Sequence, residues 1–130
     1  MILQYGTEQG DAAFRELINA FVAEEQAPVS AWEERLAVTG GVSSMLDLLC
    51  TLLTSPGDRV VVEDPTYFLA LKLFSDHGLE PVPVAVDAAG LQTDRLEDVL
   101  RKQEPRFIYT VPFHQNPSGA LLSATRRREL

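Results

Sequence analysis

The chain has 130 residues, and 45% of them are hydrophobic, a composition typical of a folded globular domain rather than of a disordered segment. Its 11 basic and 19 acidic residues give a formal net charge of −8, which argues against a nucleic-acid partner because phosphate binding needs clustered Lys and Arg. No apolar stretch reaches the roughly 20 residues of a membrane span, and no basic segment followed by an apolar core begins the chain, so we expect no membrane partner and a cytoplasmic location.

Apolar periodicity predicts two helices in the first part of the chain. Between residues 11 and 26 the apolar side chains recur at helical spacing, which predicts an amphipathic helix that Pro28 ends. Residues 35–38 form a short β-prone step, and a Gly-Gly pair then leads into a second helix over residues 42–53. Because this second helix is apolar nearly all round, we expect it to be buried.

Strands and helices alternate along the rest of the chain. The β-prone runs lie at residues 59–63, 81–86 and 107–111, and the helical patterns between them lie at residues 66–76 and from Thr93 or Asp94 onward. The first run is rich in valine, as in a parallel strand with both faces covered. Pro83 cannot donate a ladder hydrogen bond, so it favours a sheet edge for the second run. The order predicts right-handed β-α-β crossovers and one α/β unit with a mainly parallel, doubly covered sheet.

The chain ends within a further helical pattern. This pattern begins at Ser123 and reaches Leu130 without a capping residue. We therefore expect residues 1–130 to be a fragment of a larger domain.

Three segments at junctions that lead into helices could hold a ligand, because ligands of open α/β sheets bind beyond the carboxyl ends of the strands. Asn116-Pro117-Ser118-Gly119 follows the last strand, although Pro and Gly also suit an ordinary turn. Gly40-Gly41 precedes a helix whose free N–H groups and dipole can stabilise a phosphate, and a plain Gly-Gly turn is the alternative. Tyr67 follows a Pro turn and can stack on a planar heteroaromatic ligand, or it is a core or surface Tyr.

A fourth segment, Tyr5-Gly6, precedes the first helix, and the order of the four segments is more specific than any one of them. In this order they resemble the fold-type I, pyridoxal-phosphate-dependent aminotransferases of class I/II. The pattern is similar to that of 2-aminoadipate and multi-substrate aminotransferases and of the aminotransferase-like domain of GntR/MocR-type regulators. The resemblance implies a three-layer α/β fold, in which residues 1–130 are the N-terminal part of the large, cofactor-binding domain, without the rest of that domain or the small domain.

The resemblance also implies how pyridoxal 5'-phosphate would be held. It implies that backbone N–H groups of Gly41, Val42 and Ser43 contact the cofactor phosphate. The Val42 side chain would contribute nothing, since a small or polar residue is commoner at that position. The Tyr67 ring would pack against the pyridine ring, and the Asn116 side chain would hydrogen-bond the phenolic oxygen.

In the resembling family the site forms between two subunits. Tyr5 would reach the cofactor phosphate of the partner subunit, so we expect the full-length protein to be a homodimer. Its implied activity is to move an amino group between an amino acid and a 2-oxo acid. The alternative is a ligand-sensing domain of a GntR/MocR-type transcription regulator, which a basic helix-turn-helix segment upstream of Met1 would favour. A plain nucleotide-binding α/β domain is a further alternative, which the absence of a Gly-x-Gly-x-x-Gly fingerprint disfavours.

The resemblance places the remaining catalytic groups after Leu130. They are the Lys that forms the Schiff base with the cofactor, an Asp beside the pyridine nitrogen and an Arg for the substrate carboxylate. Lys72 and Lys102 lack the expected context, and we interpret both as solvated side chains. We therefore expect residues 1–130 alone to be catalytically inactive, and to associate through unpaired strand edges.

The sequence predicts neither a metal site nor a reactive thiol. Cys50 falls among leucines of the second helix, with no flanking base or cation to lower its pKa, so we interpret it as a small core residue. His77 and His114 are far apart and lack the spacing of metal ligands.

Overall fold

The computed structural model describes residues 6–25 and 36–130. The chain divides into two compact units, Met1–Met45 and Leu46–Leu130. The first unit contains helix α1 (Ala12–Glu25), which confirms the helix predicted over residues 11–26. The Asp11 carboxylate accepts a hydrogen bond from the Phe14 amide at 2.9 Å and so caps the start of this helix.

The β-prone step predicted at residues 35–38 is wrong where the structure describes it, since residues 36–38 form no strand. The Val38 amide instead donates to the Gln9 carbonyl at 2.9 Å, in the turn before α1. Gly10 lies against this contact with φ of +99°, and a Cβ there would come within 2.8 Å of the Val38 Cβ. Pairing between two loops therefore takes up a hydrogen-bonding group that a strand would use.

The remaining elements build an α/β sheet with helices. They are α2 (Val42–Leu53), β1 (Arg59–Asp64), α3 (Phe68–Asp76), β2 (Glu80–Asp87), β3 (Gly90–Leu91), α4 (Thr93–Gln103), β4 (Phe107–Tyr109) and α5 (Ala124–Glu129). The strand order is β3-β2-β1-β4, and β1 pairs in parallel with both β2 and β4. Only the short β3 runs antiparallel to its neighbour among the described strands. This topology confirms the predicted α/β class and the mainly parallel sheet.

Strand β1 is covered on both faces, as its valine-rich sequence predicts. Val60 and Val61 are fully buried and Val62 is 3% exposed. One cluster joins Val60 and Val62 to Cys50, Ala70, Phe74 and Leu79, and the other joins Val61 to Val84, Leu91, Leu96 and Leu122. Because successive strand residues point to opposite faces, the two clusters are the cores of the two helical layers, and the sheet lies between them.

Strand β2 carries its prolines on the side away from β1. The Ala85 carbonyl accepts a hydrogen bond from the Gln92 amide at 3.0 Å, so residue 85 directs its backbone groups toward the β3 side. Pro81 and Pro83 are two and one alternations earlier on the same strand, and they therefore face the same side. The missing N–H groups leave the ladder between β1 and β2 intact, and along Glu80–Ala85 no described strand lies on that outer side.

Helix α2 is where the expected burial is wrong. Within α2 only Cys50 is buried, at 1% exposed, whereas Val42 and Leu52 are 72% and 69% exposed. Burial raises the pKa of the Cys50 thiol, with a smaller contribution from Asp47, in keeping with a core residue. Helical periodicity identifies the apolar side chains of a helix, but it does not identify the residues that cover them. The described residues cover mainly the Cys50 side of this helix.

The chain ends in helix α5, whose predicted start is confirmed. The Ser123 hydroxyl accepts a hydrogen bond from the Arg126 amide at 3.3 Å and caps the helix. Across residues 6–25 and 36–130, no helix has both the length and the apolar character that crossing a membrane requires.

Candidate functional site

The carboxyl ends of β1 and β4 meet at one edge of the sheet. The two strands are parallel neighbours in which Val62 pairs with Tyr109. The turn that follows β1 and the segment that follows β4 therefore leave the sheet side by side. These are the segments in which the sequence analysis places Tyr67 and Asn116.

Glu63 is a buried carboxylate at this edge, 2% exposed. Its Oε1 accepts hydrogen bonds from the Thr110 hydroxyl at 2.6 Å and from the Val111 amide at 3.2 Å. These bonds explain why β4 ends at Tyr109 rather than at the predicted residue 111. Val111 turns its backbone amide to the Glu63 side chain instead of continuing the ladder, and the Thr110 hydroxyl adds a second bond to the same carboxyl oxygen.

Gln115 connects the Asn-Pro-Ser-Gly turn to this carboxylate, and it is also 2% exposed. Its Nε2 donates to Glu63 Oε2 at 3.0 Å and to the Pro65 carbonyl at 2.6 Å. Its Oε1 accepts from the Ser118 amide at 2.9 Å and from the Ser118 hydroxyl at 2.5 Å. One side chain therefore holds both the turn after β1 and the turn after β4.

Asn116 lies in the turn that Gln115 organises. The turn is closed by the Gly119 amide, which donates to the Gln115 carbonyl at 2.5 Å, and by the Gln115 amide, which donates to the Ala120 carbonyl at 3.0 Å. Gly119 has φ of +72°, a backbone angle that glycine adopts without strain. Asn116 itself is exposed, and no described residue hydrogen-bonds its side chain. Its amide is free to bond a group from outside.

Tyr67 stands at the start of α3, on the turn that follows β1. Its carbonyl accepts from the Ala70 amide at 3.0 Å, and its half-buried ring packs on the cluster around Val62 and Phe74. The ring meets Phe68 edge-on, with centroids 5.4 Å apart. The hydroxyl of the neighbouring Thr66 is buried without a hydrogen-bond partner among the described residues.

Tyr109 is close both to aromatic residues and to the Glu63 carboxylate at this edge. Its ring meets the buried Phe74 edge-on at 5.6 Å. Burial raises the pKa of the Tyr109 phenol, and the nearby Glu63 carboxylate and Tyr67 phenol raise it further. Tyr67, Tyr109 and Glu63 therefore lie close enough to interact electrostatically. Because its pKa is raised, the Tyr109 phenol stays protonated.

The Gly-Gly junction belongs to the first unit and has the features of a helix start. Gly41 has φ of +113°, and a Cβ there would meet no heavy atom within 4 Å. Its carbonyl accepts the first helical bond, from the Met45 amide at 3.0 Å. The amides of Val42 and Ser43 precede that bond, so the helical ladder leaves them without partners. The open space and the free donors suit an anion.

Tyr5 lies outside the described residues. Lys72 donates to both oxygens of Asp76 at 2.9 Å and its side chain is 70% exposed, and Lys102 is exposed on α4, so both fit the interpretation as solvated side chains.

A surface groove elsewhere on the second unit holds none of the predicted site residues. Its lining residues are Thr93, Asp94, Leu96, Glu97, Leu100 and Glu129. The groove is lined by carboxylates and offers no basic group to an anion. Within the described ranges, no three His, Cys, Asp or Glu side chains come together as a metal site.

Glu63 and Gln115 are the functional candidates that the sequence analysis missed. They are 52 positions apart, and neither belongs to a periodic pattern. The signal was a polar residue beside each turn motif: Glu63 before a Pro turn and Gln115 before Asn116. The two side chains come within hydrogen-bonding distance because β1 and β4 are neighbours in the sheet.

Comparison with known proteins gives a consistent set of matches. The family model of aminotransferase class I and II matches residues 1–130. Aromatic-amino-acid aminotransferase 1 of Thermococcus litoralis is 34% identical over 134 residues, covering 98% of this chain and 32% of that protein. YhdI, an uncharacterized HTH-type transcriptional regulator of Bacillus subtilis, is 31% identical over 125 residues, covering 96% of this chain and 25% of the regulator.

A solved structure gives the same picture at the level of the fold. The crystal structure of alpha-aminoadipate aminotransferase from Thermus thermophilus is complexed with N-(5'-phosphopyridoxyl)-L-leucine. It matches with a TM-score of 0.80 and 33% identity, over 97% of this chain and 31% of that chain. The chain thus spans about a third of the length of the aminotransferases to which it is similar.

Proposed function

Because the chain belongs to the family of class I and class II aminotransferases, we propose that it supplies part of the pyridoxal phosphate site of an enzyme that moves an amino group between an amino acid and a 2-oxo acid. Support for the cofactor comes from the related aminoadipate aminotransferase, which is complexed with a phosphopyridoxyl amino acid. We propose that residues 1–130 are the N-terminal part of the large domain of that enzyme.

The start of α2 fits the phosphate of this cofactor. The unbonded amides of Val42 and Ser43 open a helix of 12 residues, whose dipole favours an anion. The backbone of Gly41 is accessible, because the residue has no side chain and no heavy atom lies within 4 Å of where a Cβ would be. Val42 directs a largely exposed apolar side chain to the surface, so only its amide would serve the phosphate.

The edge formed by β1 and β4 fits the ring of the cofactor. We assign the Tyr67 ring to the face of the pyridine and the Asn116 amide to its phenolic oxygen. The observation that carries this assignment is the free Asn116 side chain, held on a turn whose neighbour Gln115 is buried and fully hydrogen-bonded. The unpartnered Thr66 hydroxyl is a further polar group at this edge.

Each residue then has a simple physical task. When bound, pyridoxal phosphate supplies an electron sink for the negative charge that develops at the substrate α carbon. The amides of residues 41–43 would stabilise the phosphate by donating hydrogen bonds to it, and the Tyr67 ring would hold the pyridine plane. The Asn116 amide would donate to the phenolic oxygen and so favour its ionised form.

Further parts of the proposal concern groups outside the described residues. We propose that Tyr5 reaches the phosphate in the partner subunit of a homodimer. Lys72 is paired with Asp76 and Lys102 is exposed, so we propose that the Schiff-base Lys is supplied from outside residues 1–130. On this proposal residues 1–130 alone show no transamination. The cytoplasmic location remains a prediction from the sequence.

The first test is the variant Asn116→Ala in the full gene product. We expect pyridoxal phosphate to bind about tenfold or more weakly, because a hydrogen bond to a charged oxygen is lost. The pH midpoint of the bound cofactor's absorbance change should move upward, because the donor that favours the ionised oxygen is gone. Fluorescence or absorbance titration of the apoprotein measures both quantities.

Asn19→Ala, on helix α1, is the matched control, since it removes the same amide outside the proposed site. It should leave both the affinity and the midpoint unchanged. Equal effects of the two variants would contradict the role of Asn116. Failure of the unaltered protein to bind pyridoxal phosphate would contradict the proposed function itself.

A second candidate function rests on the similarity to the regulator YhdI, which covers 96% of this chain. In that case the same site would bind the cofactor as a signal within a transcription regulator. The full gene product would then bind a specific DNA segment and show no turnover of amino acids with 2-oxo acids. Measuring DNA binding and transamination on one preparation distinguishes the two functions.

A further inference from the structure

We propose that Gln115 and Glu63 are positioning residues, which hold the Asn116 turn at the sheet edge and so set where the Asn116 amide can donate. This inference rests on the proposed function for its consequence but not for its geometry. Neither side chain reaches the surface, since each is 2% exposed, so neither is available to touch a bound group directly.

Hydrogen bonds, rather than an ion pair with a cation, hold the Glu63 carboxyl group. Three donors converge on it: the Thr110 hydroxyl, the Val111 amide and Gln115 Nε2. No described Lys, Arg or His forms an ion pair with it. A buried carboxylate is costly to leave unpaired, so each of these donors fixes its own segment firmly in place.

Gln115 uses every polar position of its side chain. Nε2 donates to the Glu63 carboxylate and to the Pro65 carbonyl, and both acceptors are unable to donate. Oε1 accepts from the Ser118 amide and hydroxyl. The chemistry of the partners therefore fixes which end of the amide carries the nitrogen.

A Glu at this position does not satisfy the arrangement. A Glu at 115 would direct a carboxylate at Glu63 and at the Pro65 carbonyl, with no donor between them. Because Asn116 is the next residue in the chain, loss of this anchor frees the backbone that carries its amide. The effect on the bound ring would thus pass through the turn, from residues that do not contact it.

The geometry is tested by amide hydrogen exchange of residues 113–120 in the full gene product without cofactor. Gln115→Glu and Glu63→Gln should each speed the exchange of Gly119 and Gln115 by about tenfold or more, since a hydrogen bond to a charged group is lost. The double variant E63Q/Q115E should recover part of the loss. Its new amide at 63 can donate to the new carboxylate at 115, whereas the bond to the Pro65 carbonyl stays broken.

Glu80→Gln and Gln92→Glu are the matched controls. They make the same chemical changes at exposed or half-buried positions, outside the hydrogen-bond network of Glu63. Both should exchange like the unaltered protein. If Gln115→Glu does not fold, Thr110→Val and Thr110→Ser decide, because the first removes one donor to Glu63 and the second keeps it. Unchanged exchange in Thr110→Val and Glu63→Gln would overturn the proposal.

The effect of the pair on the Asn116 amide is tested by pyridoxal phosphate titration of the same variants. Gln115→Glu and Glu63→Gln should move the pH midpoint of the bound cofactor's absorbance upward, as Asn116→Ala does, although Asn116 is intact. Faster exchange with an unmoved midpoint would assign the pair to stability alone and overturn the positioning role. If the unaltered protein does not bind the cofactor, the proposed function fails, and the exchange result still decides whether the pair holds the turn.

Discussion

At Gly90 the sheet lies in close contact with the segment before α5. A Cβ on Gly90 would lie 2.7 Å from Leu122 Cα and 2.8 Å from Leu122 Cδ1. Leu122 is held there by its amide, which donates to the Pro112 carbonyl at 2.8 Å, and by the next residue, Ser123, whose amide donates to the Ala89 carbonyl at 3.0 Å. The backbone of residues 122–123 therefore cannot retreat to make room for a side chain.

Gly90→Ala should consequently destabilise the chain by about 2–4 kcal/mol, from a backbone clash and a φ of +90° together. Gly57→Ala is the control, since Gly57 has the same φ of +90° but no heavy atom within 4 Å of its Cβ direction. It should cost only the backbone part, about 1 kcal/mol. Urea unfolding of both variants measures the difference, and equal midpoints would show that the clash is relieved by movement of Leu122.

At the scale of elements, an ion pair connects α5 to the hairpin between β2 and β3. Arg126 Nη1 and Nη2 donate to the two oxygens of Asp87 at 2.6 and 2.8 Å, and Nη1 also donates to the Gly90 carbonyl at 2.9 Å. The hydrogen bond from Arg126, with a smaller contribution from the Ala89 amide, lowers the pKa of Asp87 to about 2. Such a bidentate pair also fixes the direction of the short helix.

The pH dependence of stability follows from this shift. Because the folded pKa lies below the unfolded value of about 3.9, the pair stabilises the fold above that value. Its contribution falls progressively as the pH drops toward about 2, where Asp87 protonates in the folded state. Asp87→Asn should therefore flatten the loss of stability between about pH 4 and pH 2. Urea midpoints across this range measure it, with Asp98→Asn on α4 as the control, and identical curves for Asp87→Asn and the unaltered chain would contradict the assignment.

The elements also show what a sequence pattern can and cannot predict. The valine-rich run predicted a strand covered on both faces, because consecutive apolar residues within β1 itself indicate that both of its faces are buried. The β-prone step was wrong over residues 36–38 because Val38 pairs with Gln9, a partner that no local pattern reveals. The buried pair of Glu63 and Gln115 was missed for the same reason. The roles of Tyr67 and Asn116 came from the resemblance of whole motifs and remain predictions.

At the scale of the whole molecule, apolar side chains remain exposed on several of the described helices, most of them on α1 and α2. On α1 these are Phe14, Leu17 and Phe21, and on α2 they include Val42, Leu48, Leu52 and Leu53. Exposed apolar patches of this kind mark surfaces that associate with other protein. The expected association of residues 1–130 therefore has a second cause besides unpaired strand edges.

Leu52→Glu should reduce the association of residues 1–130, because Leu52 is 69% exposed and the change places a charge on the apolar face of α2. Thr51→Glu adds the same charge one position earlier on the same helix, away from that face, and is the matched control. Light scattering at several protein concentrations measures the average mass. A monodisperse monomer for the unaltered chain would contradict the prediction, and equal masses for the two variants would exclude the α2 face as the cause.

The two prolines of β2 limit the side on which a further strand can join the sheet. A strand arriving beside Pro81 or Pro83 would find carbonyls but no N–H groups with which to pair, and the short hairpin to β3 already occupies the end of that side. Strand β4 is the opposite edge of the described sheet and carries no proline. We therefore expect any strand that extends this sheet to add next to β4. The prolines act as a stop on one side only, and they direct further assembly, within one chain or between chains, to the edge beside the candidate site.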